Sequence, residues 1–192
     1  DEARHLGYLE KVVSLKRFTG RSNSFLDLLD EMICHGRRRP LIFIIQVLLE
    51  GWGIEHYQKL AGDCQFAPFA ELLEQIVRDE AGHHGSGLVL FDEKELSAEE
   101  REEAREALVR FFEFVRIGPA GLMQTISNYA DLTLEDSRVL LREINAKEQT
   151  DKKIQTLKRM MKKSSSSDLI EFVESRRADR VLTEDEMLKL FH

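Results

Sequence analysis

The chain has 192 residues, of which 42% are hydrophobic and 33% charged, with a net charge of −7 and three prolines. That length suits one well-buried domain plus an appendage, and the acidic balance excludes a large nucleic-acid footprint. The two cysteines, Cys34 and Cys64, form no CxxC pair, which excludes rubredoxin-type and zinc-ribbon sites. Two lone thiols fit a reducing cytoplasm, with one bridge between them left open. No apolar run reaches the roughly 18 residues of a membrane span, and no signal peptide is visible.

Nearly every segment reads as helix. Leu6, Leu9 and Val13 continue the face of Glu2 and His5 at helical spacing. Residues 18–24 are a break containing Gly20 and Asn23. Ser24 and Asp27 form a capping box that opens a second helix, which Gly36 stops near His35. Residues 37–40 read as a loop, with Pro40 near the next helix start. A buried helix follows over residues 41–61, closed by Gly62-Asp63, and another over 68–91. Ser97 and Glu100 cap a charged amphipathic helix ending near Ile117. Residues 118–121 read as a turn and 122–129 as a short helix. Thr133 and Asp136 cap a long helix that fades near Lys163. A four-serine linker, 164–167, leads to two short helical pieces over 168–177 and 183–191. The expected domains are 1–117 as a helical bundle, 118–163 as additional helices packed on it, and 164–192 as linker and tail.

The chemistry concentrates in three places. In residues 41–54 the only polar side chains are Gln46 and Glu50. A helix that is apolar all round is a buried one, and a carboxylate there is costly unless paired, protonated or bound to a metal. Glu2 and His5, and again Glu80 and His83, place a carboxylate and an imidazole at i, i+3 on one helical face. Such a motif is weak alone, since about one chance match is expected in a chain rich in Glu and His. Its context adds weight: Leu73, Ile76, Val77, Leu88 and Leu90 make the helix of Glu80 largely apolar. The short turn at Gly62 makes it the antiparallel neighbour of the Glu50 helix, so Glu50 and Glu80 meet at one depth. Gly51, Gly53 and Gly82 lie inside these helices at a cost of about 0.5–1 kcal/mol each. Close approach to a cofactor or a π-bulge would account for them.

One Glu-x-x-His on each of two helices plus lone Glu residues from others is the ligand set of a di-iron or di-manganese carboxylate bundle. The expected metal ligands are therefore Glu2, His5, Glu50, Glu80 and His83. Against this stand plainer readings: a solvated pair at Glu2 and His5, a surface pair at Glu80 and His83, or a structural pairing of Glu50 with Arg4 or Arg78. Asp79, Arg78 and His84 read as the wetter side of their helix, with His84 exposed or outside the ligand set. Tyr57, two turns after Glu50, reads either as a core tyrosine or as a hydrogen-bond donor or redox-active phenol behind the ligands. Arg37–Arg39 reads as a solvated turn, or as a contact for an anionic head group or partner.

With these residues in place, the chain resembles the ferritin-like di-iron superfamily, and within it bacterial oxygenase-type members such as the aldehyde-deformylating oxygenases. The likeness rests on Glu2–His5, on IIQVLLEGWGIEHY around Glu50 and Tyr57, and on RDEAGH around Glu80 and His83, and covers about the first 90 residues. It implies an all-α fold with a ferritin-like four-helix bundle core and additional C-terminal helices. It further implies two iron ions, with manganese or zinc as alternatives, dioxygen and a small organic substrate, an electron donor, and an oxidoreductase activity. Iron storage or detoxification, and a degenerate bundle used for binding or assembly, are the alternatives. Such families supply another Glu from a helix ahead of the first Glu-x-x-His. The expectation is an upstream helix carrying it, which would cover a groove formed by Leu6, Leu9, Leu41, Ile45 and Leu88; a homodimer is the other way to fill that groove.

Overall fold

A computed structural model describes residues 2–13, 24–127 and 130–191, with the side chains of Glu2, Val12, Val13, Ser24 and Phe191 outside that description. Among the described residues every regular element is helical, so the fold is all-α. No helix among them is long and apolar enough to cross a membrane. The chain divides into two compact units, Asp1–Glu100 and Arg101–His192. The boundary expected at 117/118 instead lies inside a continuous helix.

The first unit begins with α1 (Glu2–Val13) and α2 (Ser24–His35). The expected break at 18–24 falls almost wholly outside the described residues, as does the Ser24 side chain of the expected cap. A continuous helical rod follows, made of α3 (Arg38–Ile42), a π-helical stretch (Phe43–Glu50) and α4 (Gly51–Asp63). The loop expected at 37–40 is shorter than predicted, because Pro40 sits in the first turn of α3, where its missing N–H costs nothing. Three residues turn the chain into α5 (Ala67–Leu90), which packs along α4 and the π-helical stretch and also meets α1. A connection that short makes α4 and α5 antiparallel.

The rod is buried along one face only. Phe43, Ile44, Val47 and Leu48 are fully buried, whereas Leu41, Ile42, Ile45 and Leu49 are half-buried. The expectation of a helix buried all round is corrected to that extent. Phe43 stacks on Phe91 just past the end of α5, ring centroids 4.3 Å apart. Ser97 and Glu100 then form the expected capping box, each accepting from the other's backbone N–H, at 3.2 and 2.9 Å.

In the second unit, α6 (Ala98–Ser127, entered from the first) does not stop near Ile117. It runs through Pro119 because Ala120 and Met123 continue the buried face of Phe111, Phe112 and Val115. Burial of that face outweighs the roughly 3 kcal/mol a mid-helix proline costs. The long helix expected from Thr133 is two helices, α7 (Leu134–Glu143) and α8 (Ala146–Lys163), broken where Asn145 takes a left-handed φ of 49°. Asparagine tolerates that region and so can turn the chain there. The serine run is not a free linker. Ser164 and Ser166 are buried and hydrogen-bond each other at 2.8 Å, and Ser165 at φ 57° closes a Schellman turn, Ser166 N–H donating to Met161 O. That corner folds α9 (Ser167–Ser175) back on α8, and α10 (Glu184–Phe191) packs on α7.

Candidate metal centre

Two elements of the first unit supply the centre, and a third supports it. The π-helical stretch ends on Glu50. One face of α5 carries Glu80 and His83, which the i, i+3 spacing stacks one above the other. Ligand-capable atoms of Glu50, Glu80 and His83 all lie within 4.8 Å of one another. His83 Nδ1 is 3.6 Å from Glu50 Oε1, and the side chains of Glu50, Glu80 and His83 are 14, 7 and 30% exposed. The Oε1 atom of Gln46, one turn before Glu50, is buried with no hydrogen-bond partner among the described residues.

From α1, the buried His5 lies against Asp79 and Glu80. Its Nε2 is 2.9 Å from Asp79 Oδ2 and its Nδ1 is 3.5 Å from Glu80 Oε1. Arg4 also donates to Asp79 Oδ2. The hydrogen bond from His5, and after it the charges of Arg4 and His5, hold the Asp79 carboxyl below the usual aspartate range. An ionised carboxylate only accepts, so Nε2 of His5 carries a proton and donates. That fixes the ring and turns Nδ1 toward Glu80.

Of the expected ligands, the structure thus brings Glu50, Glu80 and His83 into one group and sets His5 against Glu80. The side chain of Glu2 lies outside the described residues. His84 does not join the group; its Nδ1 is 3.2 Å from the backbone oxygen of Gln46, and since a carbonyl only accepts, the ring donates. Tyr57 sits with its ring edge against Gly53 and beside His56. Arg39, in α3, is drawn to Glu95 at 3.1 Å and Glu100 at 3.7 Å.

Compared with protein-family models, with curated proteins and with solved structures, the chain gives no match.

Two carboxylates and one imidazole converge, with a second imidazole 3.5 Å from Glu80. Oxygen and imidazole nitrogen donors of this kind suit Fe(II), Mn(II) or Zn(II), and the absence of thiolates from the group disfavours softer ions. Three donors leave coordination positions for water or substrate.

Asp79, which reads as part of the wetter side of α5, is partly exposed and also binds both Arg4 and His5. Its signal was present: an Asp-Glu pair on one helix opposite an Arg-His pair on another offers two acceptors to two donors. Gly82 is exposed, and a Cβ there would meet no other protein atom within 4 Å. The close approach is at Gly87, where a Cβ would lie 2.6 Å from Gln46 Cβ.

Proposed function

We propose that the first unit holds a carboxylate–imidazole metal centre built on Glu50, Glu80, His83 and His5, and that two iron ions there carry an oxidation of an organic substrate by dioxygen. The observation that supports this reading is the position of Glu80. Its Oε1 lies 3.5 Å from His5 Nδ1, and one of its carboxylate oxygens lies within 4.8 Å of ligand-capable atoms of Glu50 and His83, so that the carboxylate would be available to more than one ion. Bound iron would supply electrons to dioxygen. The chain's own residues do the rest. Glu80 and Glu50 balance the charge, and Asp79 orients His5 and raises its basicity.

A second reading is a binding or assembly module with one ion or none. It is favoured by the fact that the group converging within 4.8 Å among the described residues has three members and not the larger set of a full two-metal site. Metal content per chain, measured with the optical spectrum before and after exposure to oxygen, decides between them. Two irons and a new near-ultraviolet charge-transfer band support the oxidation reading. One ion or fewer, with no spectral change, supports the module. Uptake of many irons per chain points to storage.

A further inference from the structure

We infer that His84 and Gly87 are positioning residues that hold residues 43–50 in the π-helical register and so place Glu50 opposite His83. The π-helix is the uncommon form; it inserts a residue into the helical course and turns everything after it by about 100° relative to an α-helix. Glu50 is the last residue of the stretch and Gly51 its C-cap, so the carboxylate's direction depends on that insertion being kept. Two contacts from α5 reach the same residue in mid-stretch. His84 Nδ1 donates to Gln46 O at 3.2 Å, giving a donor to a carbonyl where the ordinary i+4 ladder is interrupted. At Gly87, buried in α5, the missing side chain lets the Gln46 backbone come close. A Cβ there would stand 2.6 Å from Gln46 Cβ, 3.1 Å from its carbonyl carbon and 3.3 Å from Val47 Cγ2. The first two of these atoms belong to the backbone or are bonded to it, so they cannot swing aside as the end of a long side chain could. Both residues lie within a turn or so of His83, on the helix that also carries Glu80. One helix therefore presents two members of the group and fixes the course of the segment that presents the third.

The functional consequence rests on the metal reading; the structural part does not. The test uses the full chain with His84→Leu, which removes the donor, His84→Asn, which keeps one at the Nδ1 position, and Gly87→Ala, which pushes Gln46 away. Leu73→Ala, in the buried face of α5 but two turns before Glu80, controls for loss of stability alone. Co(II) titration followed by visible absorption reads the site, and amide hydrogen exchange of residues 43–51 with crystal structures of the metal-free variants reads the register. The expected result is a ten- to hundred-fold weaker Co(II) affinity for His84→Leu and Gly87→Ala, faster exchange over 43–51 and a rotated Glu50. His84→Asn and Leu73→Ala should bind as the parent does. Equal loss in His84→Leu and His84→Asn overturns the inference and makes His84 itself a ligand. Unchanged exchange and an unmoved Glu50 in both His84→Leu and Gly87→Ala also overturn it. If the parent chain binds no Co(II), the metal reading fails by itself, and the exchange and crystal data still decide the register.

Discussion

Replacing Glu80 by Gln separates a metal centre from an ion-pair network. Glu50 and Glu80 offer carboxylate oxygens within 4.8 Å of each other. At that separation two ionised carboxylates repel by roughly 3 kcal/mol at an effective dielectric constant near 20. A divalent ion among them reverses the balance. At a free concentration one hundred times its Kd it stabilises the folded chain by about 2.7 kcal/mol, or about 5–10 °C in Tm for a chain of this length. Glu80→Gln keeps the shape and removes one charged donor. A directly bound carboxylate counts for no less than an outer partner, whose loss costs about 10–100-fold in affinity. At the hundred-fold end, the same metal concentration equals the new Kd, and the stabilisation falls to about 0.4 kcal/mol, or about 1–2 °C. Thermal melts of both proteins with and without Mn(II) or Fe(II), the latter without oxygen, measure this directly. An ion-pair network gives the opposite pattern, because Glu80 is then only the partner of His5. Melting temperatures that ignore the metal in both proteins, with Glu80→Gln melting lower throughout, would refute the metal centre.

Asp79→Asn should weaken metal binding by about 10–100-fold through loss of the carboxylate that orients His5; an affinity within twofold of the parent in an isothermal titration means that Asp79 serves Arg4 alone. Glu186 in the second unit is pushed down to about 2 by the paired hydrogen bonds from Arg180 and then by the Thr183 backbone N–H. Because its folded value lies below its ordinary 4.5, its contribution is complete above that value and is lost as pH falls from there to about 2. Acid unfolding of Glu186→Gln should therefore lack that part of the pH dependence, and a carboxyl-carbon titration of Glu186 with a midpoint near 4 would contradict it. Phe43→Ala should cost about 3–5 kcal/mol in urea unfolding, since the ring is fully buried and stacked on Phe91; a loss under 1 kcal/mol would mean the cavity collapses around it.

Much of the fold was legible because helical periodicity and capping chemistry are local. Ser97 with Glu100 and Thr133 with Asp136 each announce a helix start within four residues, and both capping boxes form. Gly118 and Pro119 are breakers by local preference, yet Ala120 and Met123 bury beyond them and the helix goes on. The serine run has the composition of a linker, yet Ser164 and Ser166 find partners in each other and in the end of α8. Asn145 is only weakly unfavourable within a helix by propensity, yet it supplies the left-handed residue that a turn between α7 and α8 requires. At Pro119 burial chose between local alternatives, whereas at the serine run and at Asn145 the choice lay among local conformations that the sequence leaves close in energy.

The candidate site divides along the same line. Glu80 and His83 were readable because i, i+3 spacing on one helix fixes their relation before any tertiary contact forms. Glu50 was readable because a carboxylate in an apolar run demands a partner. Asp79 was not, because its role is defined by His5, 74 residues away in sequence and on another helix. Nor were His84 and Gly87, whose neighbours in sequence say nothing of Gln46. The glycines that drew notice, Gly51 and Gly53, flank the carboxylate; Gly87 stands on the opposing helix, where its lack of a side chain matters only to the segment packed against it. A side-chain group of this kind is therefore encoded twice: once as residue types at helical spacing, and once as the small and polar residues that face the neighbouring helix. The first code can be read from one segment at a time. The second becomes visible only when α5 lies against the π-helical stretch, because a donor and a missing side chain acquire meaning from the carbonyl and the backbone they face.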